Sequence, residues 1–116
     1  MIGFAALLLL VQAGAAEEAT DCNDAKTQTE MNLCAARDFE AADALLNEQW
    51  GETSDLMKAL DAERDRDFDR QPGYFETLLE GQRAWLKFRD AHCLVDSFLA
   101  LGGSMQPMLD SFCKAH

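Results

Sequence analysis

From Met31 to Leu60, apolar or small residues recur in steps of three and four: Met31, Ala35, Phe39, Ala42, Leu46, Trp50, Thr53, Met57 and Leu60. That period lays them on one stripe of a long amphipathic helix. Thr27, with Glu30 three residues on, supplies the capping box that starts it. Gly51 falls within the stripe, at a cost of about 1 kcal/mol against alanine, and marks the place to expect a kink. Acids and arginines alternate from Asp61 to Arg70, and Gln71-Pro72-Gly73 reverses the chain. A second stripe through Phe75, Leu78, Leu79, Trp85, Leu86, Phe88 and Cys93 predicts a helix from Tyr74 to Leu101, stopped by Gly102-Gly103. Ser104 is placed to cap a short third helix carrying Met105, Met108, Leu109 and Phe112, with Pro107 in its first turn. No segment alternates at period two, so no strand is expected. The fold class is all-α: an antiparallel hairpin of two long helices plus a short C-terminal helix.

The first sixteen residues carry no charge. Ile2 to Val11 form an apolar run, and the small residues Ala13-Gly14-Ala15-Ala16 follow before charge begins at Glu17. This reads as a cleaved export signal over residues 1–16, although no Lys or Arg precedes the run. Residues 17–116 then form one helical domain, periplasmic or secreted. The first cysteine, Cys22, lies six residues past Ala16, so no lipid anchor is expected. An even set of four cysteines in a short exported chain implies two disulfides. Gly103 lies ten residues from both Cys93 and Cys113, and Cys22 and Cys34 enclose one helix start. Folding back at both places favours Cys22–Cys34 with Cys93–Cys113. Long-range crossed pairs are the open alternative.

The formal charge of −11 disfavours nucleic acid and anionic membrane surfaces and favours a basic protein partner. Asp65, Asp67, Asp69 and Glu76 imitate the spacing of a calcium loop. Arg70 replaces its turn glycine, Pro72 breaks its frame and Arg66 adds a cation, so a solvated charged linker is expected instead. His92 beside Cys93 is not a nucleophile–base pair, because adjacent helical residues point apart and the cysteine set is paired. No catalytic constellation, metal set or cofactor motif emerges, so the chain is not expected to be an enzyme. The informative polar residues border the stripes. Gln82, Trp85 and Arg89 share one face of the second helix, and Asp43 and Asn47 stand one turn apart on the first. A bidentate Arg89–Asp43 pair, with hydrogen bonds from Gln82 and Asn47, is expected to set the register of the hairpin. The other reading has this cluster lining a binding surface.

In its blocks the chain resembles the LprI-type lysozyme-inhibitor family of small exported bacterial proteins. The matching residues are Asp21-Cys22, Thr27-Gln28, Glu30-Met31-Asn32, Cys34-Ala35, Ala42-Asp43 and Leu46-Asn47. They continue with Gln82 to Leu86, Phe88 to Ala91, Cys93, Gly102 to Met105, Pro107-Met108 and Cys113. The resemblance implies a cysteine-bridged helical protein that binds and inhibits lysozyme. A basic lysozyme would be drawn to an acidic domain. The exposed tips at Asp61–Pro72 and Gly102–Ser104 are the candidate contacts. A periplasmic structural or accessory protein-interaction domain without lysozyme activity is the alternative. Two departures stand out: the family usually continues past its last cysteine with a basic helical segment, and the lipid-attachment site of some members is absent.

Overall fold

A computed structural model describes residues 20–116; the expected export signal over residues 1–16 lies outside the described residues. Three α-helices follow in order: α1 (Gln28–Glu63), α2 (Tyr74–Ser97) and α3 (Gln106–Ala115), with a 3₁₀ turn at Phe98–Ala100 between the last two. No strand occurs among the described residues.

α1 begins where the capping box places it. Thr27 Oγ1 accepts the Glu30 N–H at 3.1 Å, and Glu30 Oε2 accepts from Thr27 N at 3.1 Å and Lys26 N at 2.7 Å. These backbone donors, Lys26 first and Thr27 next, hold the Glu30 carboxyl below the usual carboxylate range. The helix runs unbroken through Gly51 for 36 residues, about 54 Å at the usual helical rise. A Cβ at Gly51 would meet no described atom within 4 Å, so nothing inside the described chain calls for glycine there.

α2 packs antiparallel to α1. Phe75 meets Trp50 with ring centroids 6.3 Å apart, and Arg89 meets Asp43 farther along. The second helix is shorter than its stripe suggests, ending as α-helix at Ser97 rather than Leu101. Ser97, fully buried, donates its hydroxyl to the Leu94 carbonyl at 2.6 Å, and this local bond competes with the helical ladder. The chain then tightens into the 3₁₀ turn, closed by Leu101 N to Phe98 O at 3.1 Å. Gly102 takes φ +74°, a left-handed conformation that suits glycine, and the chain turns back.

α3 lies along both long helices and contacts each more extensively than they contact one another. Its N-cap is Met105, without a side-chain cap, and not Ser104 as expected. The Ser104 carbonyl instead accepts from Asn32 Nδ2 at 2.9 Å, which ties the turn to α1. Pro107 sits in the first turn as expected.

Disulfides join Cys22 to Cys34 and Cys93 to Cys113, with Cα separations of 5.5 and 5.4 Å. Arg37 adds a bond from Nη1 to the Thr20 carbonyl at 2.8 Å, holding the lead-in against α1. Among the described residues the buried apolar side chains are Cys34, Ala35 and Cys93. A core this small makes the crosslinks decisive: each closes a loop of a size that contributes about 3 kcal/mol.

Candidate functional site

Of the expected polar residues, Arg89 reaches Asp43 and Trp85, while Asn47 and Gln82 make no hydrogen bond across the hairpin. Arg89 is largely buried, and its guanidinium lies over the rings of Phe39 (5.3 Å) and Trp85 (5.6 Å). It reaches Asp43 through one contact, Nη1 to Oδ1 at 3.4 Å, while Nε and Nη2 both turn to Asp90 Oδ1 at 3.0 Å. The pair with Asp43 is therefore not bidentate, because the adjacent Asp90 captures the other arm of the fork. Asn47 donates to Asp43 Oδ2 at 3.4 Å within α1 and not across the interface. Gln82 faces a small cleft with Leu46, Gln49, Trp50, Thr53 and Leu78. Lys114 of α3 also lies over Phe39, at 5.6 Å, so this one ring joins three helices through two cations. Arg89 and Phe39 link the helices, while Trp85, at 46% exposure, and Asn47 remain open at the surface.

The hairpin loop is the more exposed feature. α1 ends at Glu63 with Arg64 as its C-cap, and residues 64–73 cross to α2. The Arg64 guanidinium pairs with Asp69, donates to the Pro72 carbonyl at 2.8 Å and stands over the Tyr74 ring at 5.7 Å. The Arg64 side chain, with the Gln71 N–H, holds the Asp69 carboxyl below the usual carboxylate range. Asp61 supplies the second tie. Its carboxylate accepts from Tyr74 N at 2.7 Å and Phe75 N at 3.0 Å, capping α2 where Gly73 offers no side chain. The Phe75 N–H, then that of Tyr74 with help from Arg66 and Arg64, lowers the Asp61 carboxyl. A Cβ at Gly73 would lie 3.0 Å from Asp61 Oδ1, so the glycine makes room for the cap. The sequence places Asp61 and Arg64 in the expected tip but does not reveal their roles as its ties, because their partners lie across a chain reversal.

Held in this way, the loop presents Phe68 at 90% exposure between Asp67 and Asp69. Between Asp61 and Gly73 there are five acids and three arginines, a balance of −2. Asp65, Asp67 and Asp69 do not converge as calcium ligands: Asp65 accepts from Asp67 N, and Asp69 is held by Arg64. No group of three or more His, Cys, Asp or Glu residues placed to hold a metal occurs among the described residues. Cys93 is bonded and buried, and His92 stacks on Phe88 with centroids 5.5 Å apart. The other tip, Gly102–Ser104, is tied down by Gln106, which accepts from Gly102 N at 3.0 Å and donates to Ser97 Oγ at 3.2 Å.

These features define a small all-α domain pinned by two disulfides, with an ordered charged loop at one end. The sequence model of the family described as "Lysozyme inhibitor LprI" matches residues 19–116, and the chain belongs to that family. It is also 41% identical over 103 residues to an uncharacterized protein of Rhizobium meliloti (strain 1021), covering 89% of this chain and 74% of that protein. No solved structure matches the chain. The paired cysteines and the family together fit a protein outside the cytoplasm. No helix among the described residues is long and apolar enough to cross a membrane.

Proposed function

We propose that this protein binds lysozyme and inhibits it, acting in the periplasm or after secretion. Membership of the LprI family over residues 19–116 is the observation that carries this reading. Charge supports it, since a −11 chain attracts a basic enzyme and speeds encounter. The loop of residues 64–73 is the proposed contact. An inhibitor needs a protruding group to enter a cleft, and Phe68 is the most exposed large apolar side chain among the described residues. Arg64 and Asp61 hold the base of that loop, which lowers the cost of ordering it on binding. The protein's own residues do no chemistry in this account; they occlude.

The test is lysis of bacterial cell walls by lysozyme, followed by turbidity, with and without equimolar disulfide-intact protein at low salt. Slower lysis, with the inhibition weakening as salt rises, is expected. Lysis at an unchanged rate would favour the accessory protein-interaction reading instead.

A further inference from the structure

The outer face of α2 has no role in the packing of the described residues or in the reading above. Thr77, Gly81, Ala84, Phe88, Ala91 and Val95 follow one another in alternate steps of four and three, the spacing of a coiled-coil seam. All six are exposed, Phe88 at 65% and Val95 at 63%. The seam carries no charge through more than two heptads of a chain that is 27% charged. Gly81 is unfavourable within a helix, and a Cβ there would meet no described atom within 4 Å. Close approach by another helix would give that glycine a reason.

We propose that a second copy of this chain covers the seam, α2 against α2, antiparallel about a two-fold axis level with Gln82 and Arg83. From Tyr74 to Ala91 the seam is self-complementary in that register. Gly81 lies opposite the second copy's Ala84, where two small residues let the backbones approach. Thr77 lies opposite its Phe88, and Tyr74 opposite its Ala91, so each large side chain meets a small one. An open cleft already flanks Thr77, walled by Arg64 and Pro72 of the loop and by Tyr74 and Gly81 of α2. Phe88 of the second copy enters it. The flanks agree as well: Glu80 comes beside the second copy's Lys87 on one side of the seam, and Leu78 beside its Trp85 on the other. Each contact occurs twice by symmetry. The −11 charges of the two chains repel, and at physiological salt the screening length of about 8 Å confines that repulsion to near neighbours.

Sedimentation equilibrium of the disulfide-intact chain, from micromolar to millimolar concentration at physiological salt, tests this. The wild type is expected to rise from one chain mass to two. Phe88→Asp should stay at one. Glu80→Lys and Lys87→Glu should each weaken association at least tenfold, and the two together should restore it. Circular dichroism of each variant checks that helicity is kept. A wild type of one chain mass at every concentration would overturn the proposal without recourse to any variant. So would a dimer indifferent to Phe88→Asp, or a charge exchange that fails to restore association.

Discussion

Arg89 shows how a side chain divides its interactions when two acids compete for it. Asp90, the next residue, takes the Nε and Nη2 arm, and Asp43 across the interface receives one long contact. Asp43 is 37% exposed, so removing Arg89 strands no buried charge. What Arg89→Ala loses is the guanidinium stacked on Phe39 and Trp85 and the packing of its stem. Thermal or denaturant unfolding should register about 1–2 kcal/mol, whereas Asp43→Asn should cost under about 1 kcal/mol. A larger loss for Asp43→Asn would show that the ion pair dominates. Glu30, Asp61 and Asp69 make a second prediction. Their carboxyls are held low in the folded chain, so across the acid range the unfolded chain binds more protons. The stability they confer is whole above the ordinary carboxylate pKa of about 4. It is lost as pH falls toward their lower folded values. Asp61→Asn should flatten the acid limb of a stability–pH curve measured from neutral pH downward; an unchanged slope would contradict the capping role.

The glycines of the helices and their junctions differ in kind. Gly51 lies in open space within α1, whereas Gly73 lies against the Asp61 carboxylate. Gly51→Ala should therefore stabilise by up to about 1 kcal/mol, while Gly73→Ala should destabilise by displacing the cap. Equal signs for the two, in matched denaturant titrations, would refute this distinction. Helix existence and order were legible in the sequence because stripe, capping box and Pro-Gly turn are local signals. The ends of the later helices were less legible. Ser97 diverts its hydroxyl to a carbonyl three residues back, and Ser104 gives its carbonyl to Asn32, 72 residues away in the chain. The Ser97 bond is local but one of several that a helical serine can make, and the Asn32 contact lies outside any window of neighbouring residues. The cap on α2 from Asp61 and the brace from Arg64 were hidden for the same reason, since the reversal at Pro72-Gly73 brings their partners to them.

Taken together, the chain is a lever of two long helices fastened at one end by α3 and the disulfides and carrying its loop at the other. Few side chains are buried, so the crosslinks supply a large part of the net stability. Reduction should lower the unfolding free energy by about 3 kcal/mol per bridge, read as a fall in denaturant midpoint. A midpoint unmoved by reductant would contradict the small-core account. The cysteine positions allowed this arrangement to be anticipated, through the fold-back at Gly103 and the lead-in around Cys22. Phe68 as a protruding group was not anticipated, because exposure at a loop tip follows from the Arg64 and Asp61 ties and not from composition. Calorimetric titration of lysozyme with the disulfide-intact protein and its Phe68→Ala variant tests the functional account most directly. Saturable binding by the wild type, weakened at least tenfold in the variant while circular dichroism stays unchanged, is expected. Heat of dilution alone from the folded wild type would contradict lysozyme binding, and equal affinity of the two proteins would contradict the loop as its contact.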